Sequence, residues 1–294
     1  MKYIGGALRY MFKNFIFIFV FALLPSYFLA MSVDLESLAR LVRGFFTDGD
    51  FFFYDLFFML SPFNPSGWPF AIACGVCILI CMPMLLGLIE KHMRLGIRTF
   101  KGVFGRFDCN FLATCVVTFV FFAVYEVWAL ITTGLLYAES LLLAGIASSV
   151  VVLITLIGLV ALLCYGASFL LLWLPCRLLT GCGYMEALRY SNQLVAKERG
   201  NLFLAVCLPV AAGLVLDLLV VGLSSLGNLN IPVVLTVELL VLLLFLYYAS
   251  LMFVAYFALT GEERMDLPRN PAGWAITSVF CRRAGGQYSK GGGP

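Results

Sequence analysis

Six long apolar stretches constrain the fold of this chain more than any other feature. They lie at about residues 12–31, 68–89, 110–137, 141–174, 202–224 and 231–259, and a bilayer-spanning helix needs about 20 such residues. Hydrophobic residues form 63% of the 294 residues and charged residues 12%, a balance outside the range of soluble domains. Because the runs are continuous rather than alternating, they do not suit a membrane barrel. The sequence therefore predicts an all-α, polytopic membrane bundle of six transmembrane helices.

The basic residues are distributed unevenly among the segments that connect these stretches. All but two of the 19 Lys and Arg residues fall on one side of the membrane, and the two exceptions are Arg40 and Arg43. Basic residues concentrate in cytoplasmic loops. We therefore expect a multi-pass protein of the cell (inner) membrane with both termini in the cytoplasm. Phe28 stands where a signal-peptide cleavage site needs a small residue, so we expect the first stretch to remain as a span.

One short pattern occurs three times along the chain. Ala7–Tyr10 and Ala187–Tyr190 both have the sequence Ala-Leu-Arg-Tyr, and a basic segment from His92 to Arg106 stands in the corresponding middle position. The apolar runs that follow begin at Asn14, Asn110 and Asn201. The sequence predicts a six-helix domain over residues 1–260, made of three degenerate units at about 1–90, 91–180 and 181–260, and a cytoplasmic tail over 261–294. Each unit is predicted to contain an interfacial helix followed by a helical hairpin.

The interfacial helices are predicted to be amphipathic and to lie on the cytoplasmic surface. Their apolar faces comprise Ile4, Ala7, Leu8, Met11 and Phe12 in the first copy, Met93, Ile97, Phe100 and Phe104 in the second, and Leu188, Ser191, Leu194 and Val195 in the third, which Gly200 is predicted to end. Candidate contacts to anionic lipid headgroups or to a partner are Arg9, Lys13, Lys91, Arg94, Arg98, Lys101, Arg189, Lys197 and Arg199. The interpretations are passive anchoring on the bilayer or, for the second copy, a coupling helix against a cytoplasmic partner.

Residues 32–67 form the longest segment on the opposite side of the membrane. Asp34–Arg43 is predicted to be a short amphipathic helix that Gly44 ends. The phenylalanines between Phe45 and Phe58 are interpreted as an aromatic belt on the outer leaflet. The alternative is a lid over a cavity or a docking surface for a partner.

The fourth apolar run, residues 141–175, is too long for one perpendicular crossing of the bilayer. It is therefore expected to tilt, protrude or break. Small residues such as Gly145, Ser148 and Gly158 within it suit close helix packing.

Three carboxylates, Glu126, Asp217 and Glu238, lie within apolar runs that contain no Lys or Arg. An unpaired carboxylate in hydrocarbon costs several kcal/mol, so each is expected to be protonated, to face a wet cavity or to bind a cation. One interpretation is a shared intramembrane site for a proton or cation. The other is three separate carboxyls, hydrogen-bonded to neighbours.

The remaining residue types predict no metal, cofactor or enzyme. Cys74, Cys77 and Cys81 share one helical face, where soft ligands would suit Cu(I), but cysteine within a span is usually a small packing residue. His92 is the one histidine, and no Walker A, H-E-x-x-H or nucleophile motif surrounds it. Glu90 and Asp108 near it are interpreted as solvated charges. We therefore expect no catalytic residues.

The repeated Ala-Leu-Arg-Tyr element, the Asn-aromatic entries into the spans and the six spans with cytoplasmic ends resemble one bacterial group. These are the YciC-like proteins and the membrane domains of glycerophosphodiester phosphodiesterases. The resemblance covers most of residues 1–260 in pattern. In that family the phosphodiesterase activity belongs to a soluble barrel fused to the spans, and these 294 residues contain no such barrel. The resemblance therefore implies membrane placement and no activity, and it carries over no catalytic residues.

Several functions are compatible with the sequence. The leading hypothesis is non-enzymatic handling, sensing or transport of lipid-like or amphipathic molecules by a pseudo-symmetric bundle. The alternatives are the permease subunit of an ATP-driven exporter, in which residues 91–106 would contact the ATPase, and a structural or assembly partner. An intramembrane enzyme is a further class, for which no constellation is found. The expected partners are the bilayer, its anionic headgroups and an ATPase or another membrane protein, and no nucleic acid.

Overall fold

The computed structural model describes residues 2–32, 52–65, 67–142, 146–224 and 230–267. All regular elements within these ranges are helices: α1 (Lys2–Lys13), α2 (Phe15–Ser32), α3 (Phe53–Leu60), α4 (Trp68–Leu95), α5 (Val103–Leu142), α6 (Ile146–Leu170), α7 (Trp173–Thr180), α8 (Tyr184–Lys197), α9 (Arg199–Ser224) and α10 (Asn230–Thr260). The predicted helix Asp34–Arg43 and most of the predicted tail lie outside the described residues. The predicted all-α fold class is confirmed.

Six segments of the described chain are long and apolar enough to cross a membrane. They are Phe15–Ser32, Trp68–Leu95, Asn110–Leu142, Val150–Thr180, Arg199–Leu216 and Leu235–Thr260. Much of their apolar surface lies on the outside of the bundle, as it does where lipid takes the place of water. The chain is an integral, multi-pass membrane protein.

Helix α10 occupies the centre of the bundle. Half of the most apolar window of its span is buried, against 11% in the span Val150–Thr180. It packs against α1, α2 and α9, and it buries Phe253, Tyr256 and Phe257 completely. Ala249 and Ala255 on the same helix have no exposed surface, and such small residues allow close approach of neighbouring helices. The last span of the chain therefore holds the earlier spans together.

Two tyrosines of α10 bond to the backbone of α9. The Tyr247 hydroxyl donates to the Ala205 carbonyl at 2.8 Å, and the Tyr248 hydroxyl donates to the Val206 carbonyl at 2.7 Å. Pro209 lies four residues after Ala205 and has no N–H, so the Ala205 carbonyl lacks its intrahelical donor. Tyr247 supplies that missing hydrogen bond in a region without water.

Helix α1 is confirmed as a separate element before the first span, and part of its predicted apolar face is buried. It buries Tyr3, Ala7, Tyr10 and Met11, mainly against α10. Leu8 and Phe12 of the predicted apolar face are exposed, Phe12 by 64%. The helix therefore also brings two aromatic rings with hydroxyl groups into the bundle. Exposed apolar residues remain compatible with an apolar face, since in a membrane protein they can face lipid as well as the core.

The predicted interfacial helix of the second unit was wrong. Helix α4 continues without interruption to Leu95 and ends at Gly96, which has a left-handed φ of 69°. Residues 96–102 are not helical, and α5 begins at Val103 after a second left-handed glycine, Gly102. A left-handed glycine is a common helix terminator. The four apolar residues predicted on one face therefore divide between α4, this loop and α5, and only Met93 is buried.

The third interfacial helix is confirmed as α8, with one change at its end. Glu186 accepts a hydrogen bond from the Gly183 amide at 3.1 Å, which satisfies a free donor at the helix start. The predicted end at Gly200 was wrong. The break falls at Glu198, and Gly200 lies in the first turn of α9.

The long fourth run breaks. Helix α6 ends at Leu170, a turn occupies Leu171 and Leu172, and α7 follows as a separate helix. The Trp173 indole donates to the Tyr184 carbonyl at 2.9 Å, so the start of α7 is fixed to the start of α8.

Substitution of Tyr247 by Phe is expected to destabilise the protein by about 1–3 kcal/mol, because the Ala205 carbonyl then remains buried without a donor. The measurement is thermal unfolding of the purified protein in an uncharged detergent. Replacing Pro209 with Ala restores an N–H for this carbonyl. The loss of stability caused by Tyr247→Phe should therefore be clearly smaller in the Pro209→Ala background.

Tyr248→Phe is the matched control for this cycle. The amide of Val210 lies in helical position to donate to the Val206 carbonyl, so the effect of Tyr248→Phe should not depend on residue 209. Equal coupling of both tyrosines to Pro209 would contradict the assigned role of Tyr247.

Candidate functional site

One end of the bundle gathers most of the described charged residues. We call it the basic end and define it by α1, residues 90–102, residues 184–199 and residues 261–267. The backbone amide of Met265 donates to the Met93 carbonyl at 2.9 Å, which joins the segment after the last span to the end of α4. The described candidate cations predicted from the sequence all lie at this end.

His92 is at the centre of the basic end and is almost completely buried. Its Nδ1 lies 3.0 Å from the Tyr10 hydroxyl, and its Nε2 accepts a hydrogen bond of 3.0 Å from Nε of Arg98. A guanidinium is always a donor, so Nε2 must be unprotonated. Nδ1 then carries the proton and donates to the Tyr10 oxygen. The geometry therefore fixes a neutral imidazole in one tautomer.

Residues 261–267 form a strap across this cluster. The Arg264 guanidinium lies over the Tyr10 ring at 5.8 Å and makes a two-point contact with Asp266 at 2.8 and 3.1 Å. The strap runs so close to Gly96 that a Cβ there would lie 3.1 Å from the Met265 carbonyl oxygen. Gly96 is therefore required both by its left-handed backbone and by this contact.

Glu90 was predicted to be a solvated charge, and that prediction was wrong. Its side chain is 2% exposed, and Arg94 donates to it at 3.2 Å. Arg94 is half-exposed, so this ion pair joins a buried carboxylate to a cation at the surface of the bundle. The continued helix α4 places Glu90 inside the bundle, whereas an interfacial helix would have left it in water. Asp108 is exposed, as predicted.

The loop 96–102 carries exposed cations on a fixed backbone. The Lys91 amine donates to the Lys101 carbonyl at 2.7 Å and to the Thr99 hydroxyl at 3.1 Å. The Phe100 ring packs on Phe17 of the first span at 4.7 Å between centroids. Arg98 and Lys101 are exposed on this loop.

One exposed cation of α1 lies close to this loop. Lys13 and Arg98 both lie near enough to His92 to repel a positive charge on it. By the cation–aromatic cleft we mean the surface that comprises Lys13, Arg98, Lys101 and Phe100. It combines exposed positive charges with an exposed aromatic ring at the border of the first span.

The cations of the third unit lie elsewhere on the basic end. Arg189 and Lys197 are exposed on α8, and the Arg199 guanidinium lies over the Phe169 ring at 5.3 Å. Hydrogen bonds from Asn201 and then Tyr3 lower the pKa of the Glu198 carboxyl. Burial is the main cause that raises the pKa of Tyr3 to about 12, and the Glu198 carboxyl adds to the same shift. The Tyr3–Glu198 contact therefore links α1 to the junction of α8 and α9.

The three predicted intramembrane carboxylates are not assembled into one described site. Glu126 is half-buried on α5 and accepts from the Ser61 hydroxyl at 3.1 and 3.3 Å. Glu238 is half-buried on α10, and α5 and α10 share no extensive interface. The side chain of Asp217 lies outside the described residues. The shared proton or cation site stays a prediction.

The cysteine face of α4 has one clear structural contact. The Cys74 thiol is buried and donates to the Pro25 carbonyl at 3.4 Å, which is a packing contact between α2 and α4. Among the described residues no three His, Cys, Asp or Glu side chains are arranged to hold a metal ion.

Comparison with known proteins gives no relative. No family model, no curated protein and no solved structure matches the chain. The resemblance to the YciC-like proteins stays a prediction, and the function must be inferred from the geometry alone.

Sequence analysis missed the buried part of the basic end, which comprises Tyr10, Glu90, His92, Arg264 and Asp266. The available signal was Gly96, because a glycine after His92 predicts that α4 ends there. His92 then belongs to the end of a span. The strap had no periodic or motif signal.

Acidification is expected to loosen the loop 96–102. A proton on Nε2 of His92 would face the donor of Arg98, so the folded form of this contact binds fewer protons than the free imidazole. The contact is therefore present at neutral pH and is lost as the pH falls below about 6, where an imidazole in water takes up a proton. Hydrogen exchange of residues 96–102 at pH 7.5 and 5.5, corrected for intrinsic rates, measures the effect.

His92→Gln is the control, because the glutamine oxygen can accept from Arg98 and does not titrate. The charged or titratable groups that face His92 are Tyr10, Lys13, Arg98, Arg264 and Asp266. None of these side-chain types ordinarily changes charge between pH 5.5 and 7.5. The same acid-induced loosening in His92→Gln would contradict the assignment.

Proposed function

We propose that this integral membrane protein recognises anionic amphiphiles, such as anionic phospholipids, through the cation–aromatic cleft at its basic end. The observation that carries the proposal is the position of Phe100, which is 52% exposed and packs against Phe17 of the first span, with the ring planes tilted by 38°. Its neighbours in the chain, Arg98 and Lys101, extend beyond the span. An acyl chain could therefore lie on the aromatic rings while its headgroup meets the cations.

The chemistry of the loop favours an anion. Arg98 uses its Nε atom on His92, so its terminal nitrogens, which bond to none of the described residues, are available for the paired contacts that guanidinium makes with phosphate. The segment 91–107 contains basic residues and no Asp or Glu. Each Lys or Arg close to an anionic surface contributes about 1 kcal/mol.

The loop holds its cations in place before a ligand binds. His92 fixes Arg98, Lys91 holds the backbone near Lys101, and Phe100 packs on α2. A fixed loop loses less conformational freedom on binding than a mobile one. The fixed positions of these cations support recognition of a specific headgroup rather than general attraction to a charged membrane surface.

We propose that this function is non-enzymatic recognition or sensing, with the basic end in the cytoplasm and the protein in the inner membrane. The charge distribution supports this orientation. Both ring nitrogens of the buried His92 are engaged, so it offers no free general base. The hypothesis of an exporter permease would need a contact for an ATPase, and the single helix predicted for that contact is divided between the end of α4, a loop and the start of α5.

The double substitution Arg98→Gln, Lys101→Gln is expected to reduce the affinity for phosphatidylglycerol roughly 30-fold, since two charges at about 1 kcal/mol each are lost. Affinity for phosphatidylcholine should change little. The measurement is native mass spectrometry of the purified full chain titrated with each lipid in an uncharged detergent.

The control variant is Arg189→Gln, Lys197→Gln, which removes the same charge from exposed positions on α8. It should retain most of the affinity for phosphatidylglycerol. Equal losses in the two double variants would show general charge attraction and would overturn the cleft as the recognition site. So would equal affinity of the unmodified protein for both lipids.

A further inference from the structure

The end of the bundle opposite the basic end is organised around Glu126. We call it the aromatic end, and it comprises residues 52–65 and the C-terminal half of α5. The Tyr125 hydroxyl donates to the Leu60 carbonyl at 2.6 Å, and the Ser61 hydroxyl donates to Glu126. The Asn64 amide donates to the Ser32 carbonyl at 2.7 Å. These contacts fix the segment 52–65 between α2 and α5.

Glu126 has fewer hydrogen-bond donors than a carboxylate needs. Its two oxygens offer about four acceptor sites, and among the described residues they share the one proton of the Ser61 hydroxyl. The neighbouring Tyr125 hydroxyl is used by Leu60. No described Lys or Arg makes an ion pair with Glu126. An ionised carboxyl here therefore has capacity for a cation.

An aromatic pair lies beside this carboxyl. Phe122 precedes Glu126 by one helical turn and shares its face of α5. The Phe63 ring meets Phe122 edge to face, with centroids 5.5 Å apart and planes at 89°. Phe63 is 42% exposed and Phe122 is 36% exposed. The amide of Phe63 also donates to Ser61 at 3.2 Å, so the rings, the hydroxyl and the carboxyl form one connected group.

Glu126 lies in the outer part of the hydrocarbon core, just below the level of the lipid headgroups. It is about 24 Å along α5 from Asn110, at 1.5 Å per residue, and the hydrocarbon core is about 30 Å thick. Tyr125 and Trp128 flank Glu126 on the helix, and such residues favour the membrane interface. Phe119, one turn deeper than Phe122 and Phe63, is exposed to the hydrocarbon.

We propose that Glu126, Ser61, Phe63 and Phe122 form a binding site for the ammonium group of an amphiphile, either a zwitterionic lipid headgroup or a lipophilic amine. The carboxyl neutralises the charge, and an aromatic face attracts an organic cation within about 6 Å. The apolar chain lies along the exposed side of α5. Mg²⁺ and Ca²⁺ need six or more oxygen ligands, whereas Glu126 and Ser61 supply three. This site is independent of the cation–aromatic cleft.

The test uses the purified full chain in nanodiscs of phosphatidylglycerol, which has no ammonium group, with radiolabelled dodecyltrimethylammonium as the probe. Glu126→Gln keeps the size of the side chain and an oxygen that can accept from Ser61, and it should weaken specific binding about tenfold or more. Glu238→Gln removes another half-buried carboxylate and should leave binding unchanged. Sodium should not compete. Equal binding in the unmodified protein and Glu126→Gln, or equal losses in both variants, would overturn the proposal.

A second variant and a measurement without substitution guard against misfolding. Phe122→Leu keeps the carboxyl and removes an aromatic face, so it should weaken binding of the quaternary probe more than binding of dodecylamine. In the unmodified protein, the probe should protect Glu126 from a membrane-permeant carbodiimide, as mapped by mass spectrometry. Modification of Glu126 at the same rate with and without saturating probe would overturn the site.

The source of the ammonium group is distinguished by the disc lipid. The site is assigned to lipid headgroups if the unmodified protein binds less probe in phosphatidylcholine discs than in phosphatidylglycerol discs. Probe binding by Glu126→Gln should then be the same in both discs. Equal binding in both discs assigns it to amines that enter from solution. Either result supports an ammonium site, provided that Glu126→Gln binds less probe in phosphatidylglycerol.

Discussion

The structure depends on satisfying every backbone polar group where no water is available. A single unpaired carbonyl in hydrocarbon costs several kcal/mol, so a proline within a span needs compensation from a neighbour. Pro209 leaves the Ala205 carbonyl without its helical donor, and Tyr247 from the central helix supplies it. The missing hydrogen bond of α9 is thereby replaced by a specific contact between α9 and α10. Since α10 also packs on α1 and α2, this hydrogen bond helps to set the position from which the rest of the bundle is arranged.

The two ends of the bundle solve a related problem with charged groups. At the basic end, His92 accepts from Arg98 and donates to Tyr10, which leaves one protonation state compatible with the fold. At the aromatic end, Glu126 has one shared hydroxyl donor among the described residues and lies beside two exposed rings. A satisfied polar network gives rigidity, whereas an unsatisfied buried group is costly unless something pairs with it. The two proposals rest on this difference: a fixed surface for an anion at the basic end, and free acceptor capacity for a cation at the aromatic end.

Hydropathy predicted the six spans because the length of an apolar run decides whether a helix can cross the bilayer. It predicted packing less well, because lipid and protein interior are equally apolar. Phe12 and Tyr10 are both aromatic residues on α1, yet one faces outward and the other is buried beneath Arg264. The prediction of a second interfacial helix was wrong for a local reason. Gly96 and Gly102 adopt left-handed backbone conformations, and a periodic pattern of apolar residues does not show them. Glu126 was identified from its residue type alone, but its partners Ser61 and Phe63 come from a segment more than 60 residues away in the chain.

The strap has a consequence for how the protein is made. Tyr10, His92 and Arg98 all leave the ribosome long before Arg264 and Asp266, and the Met265 amide reaches Met93 only after α10 is in place. During synthesis, the first two hairpins therefore insert with the polar groups of their basic end uncovered. Completion of this end waits for the last span to insert and for the residues that follow it to emerge. The contacts between this strap and α4 are therefore among the last of the described bundle to form.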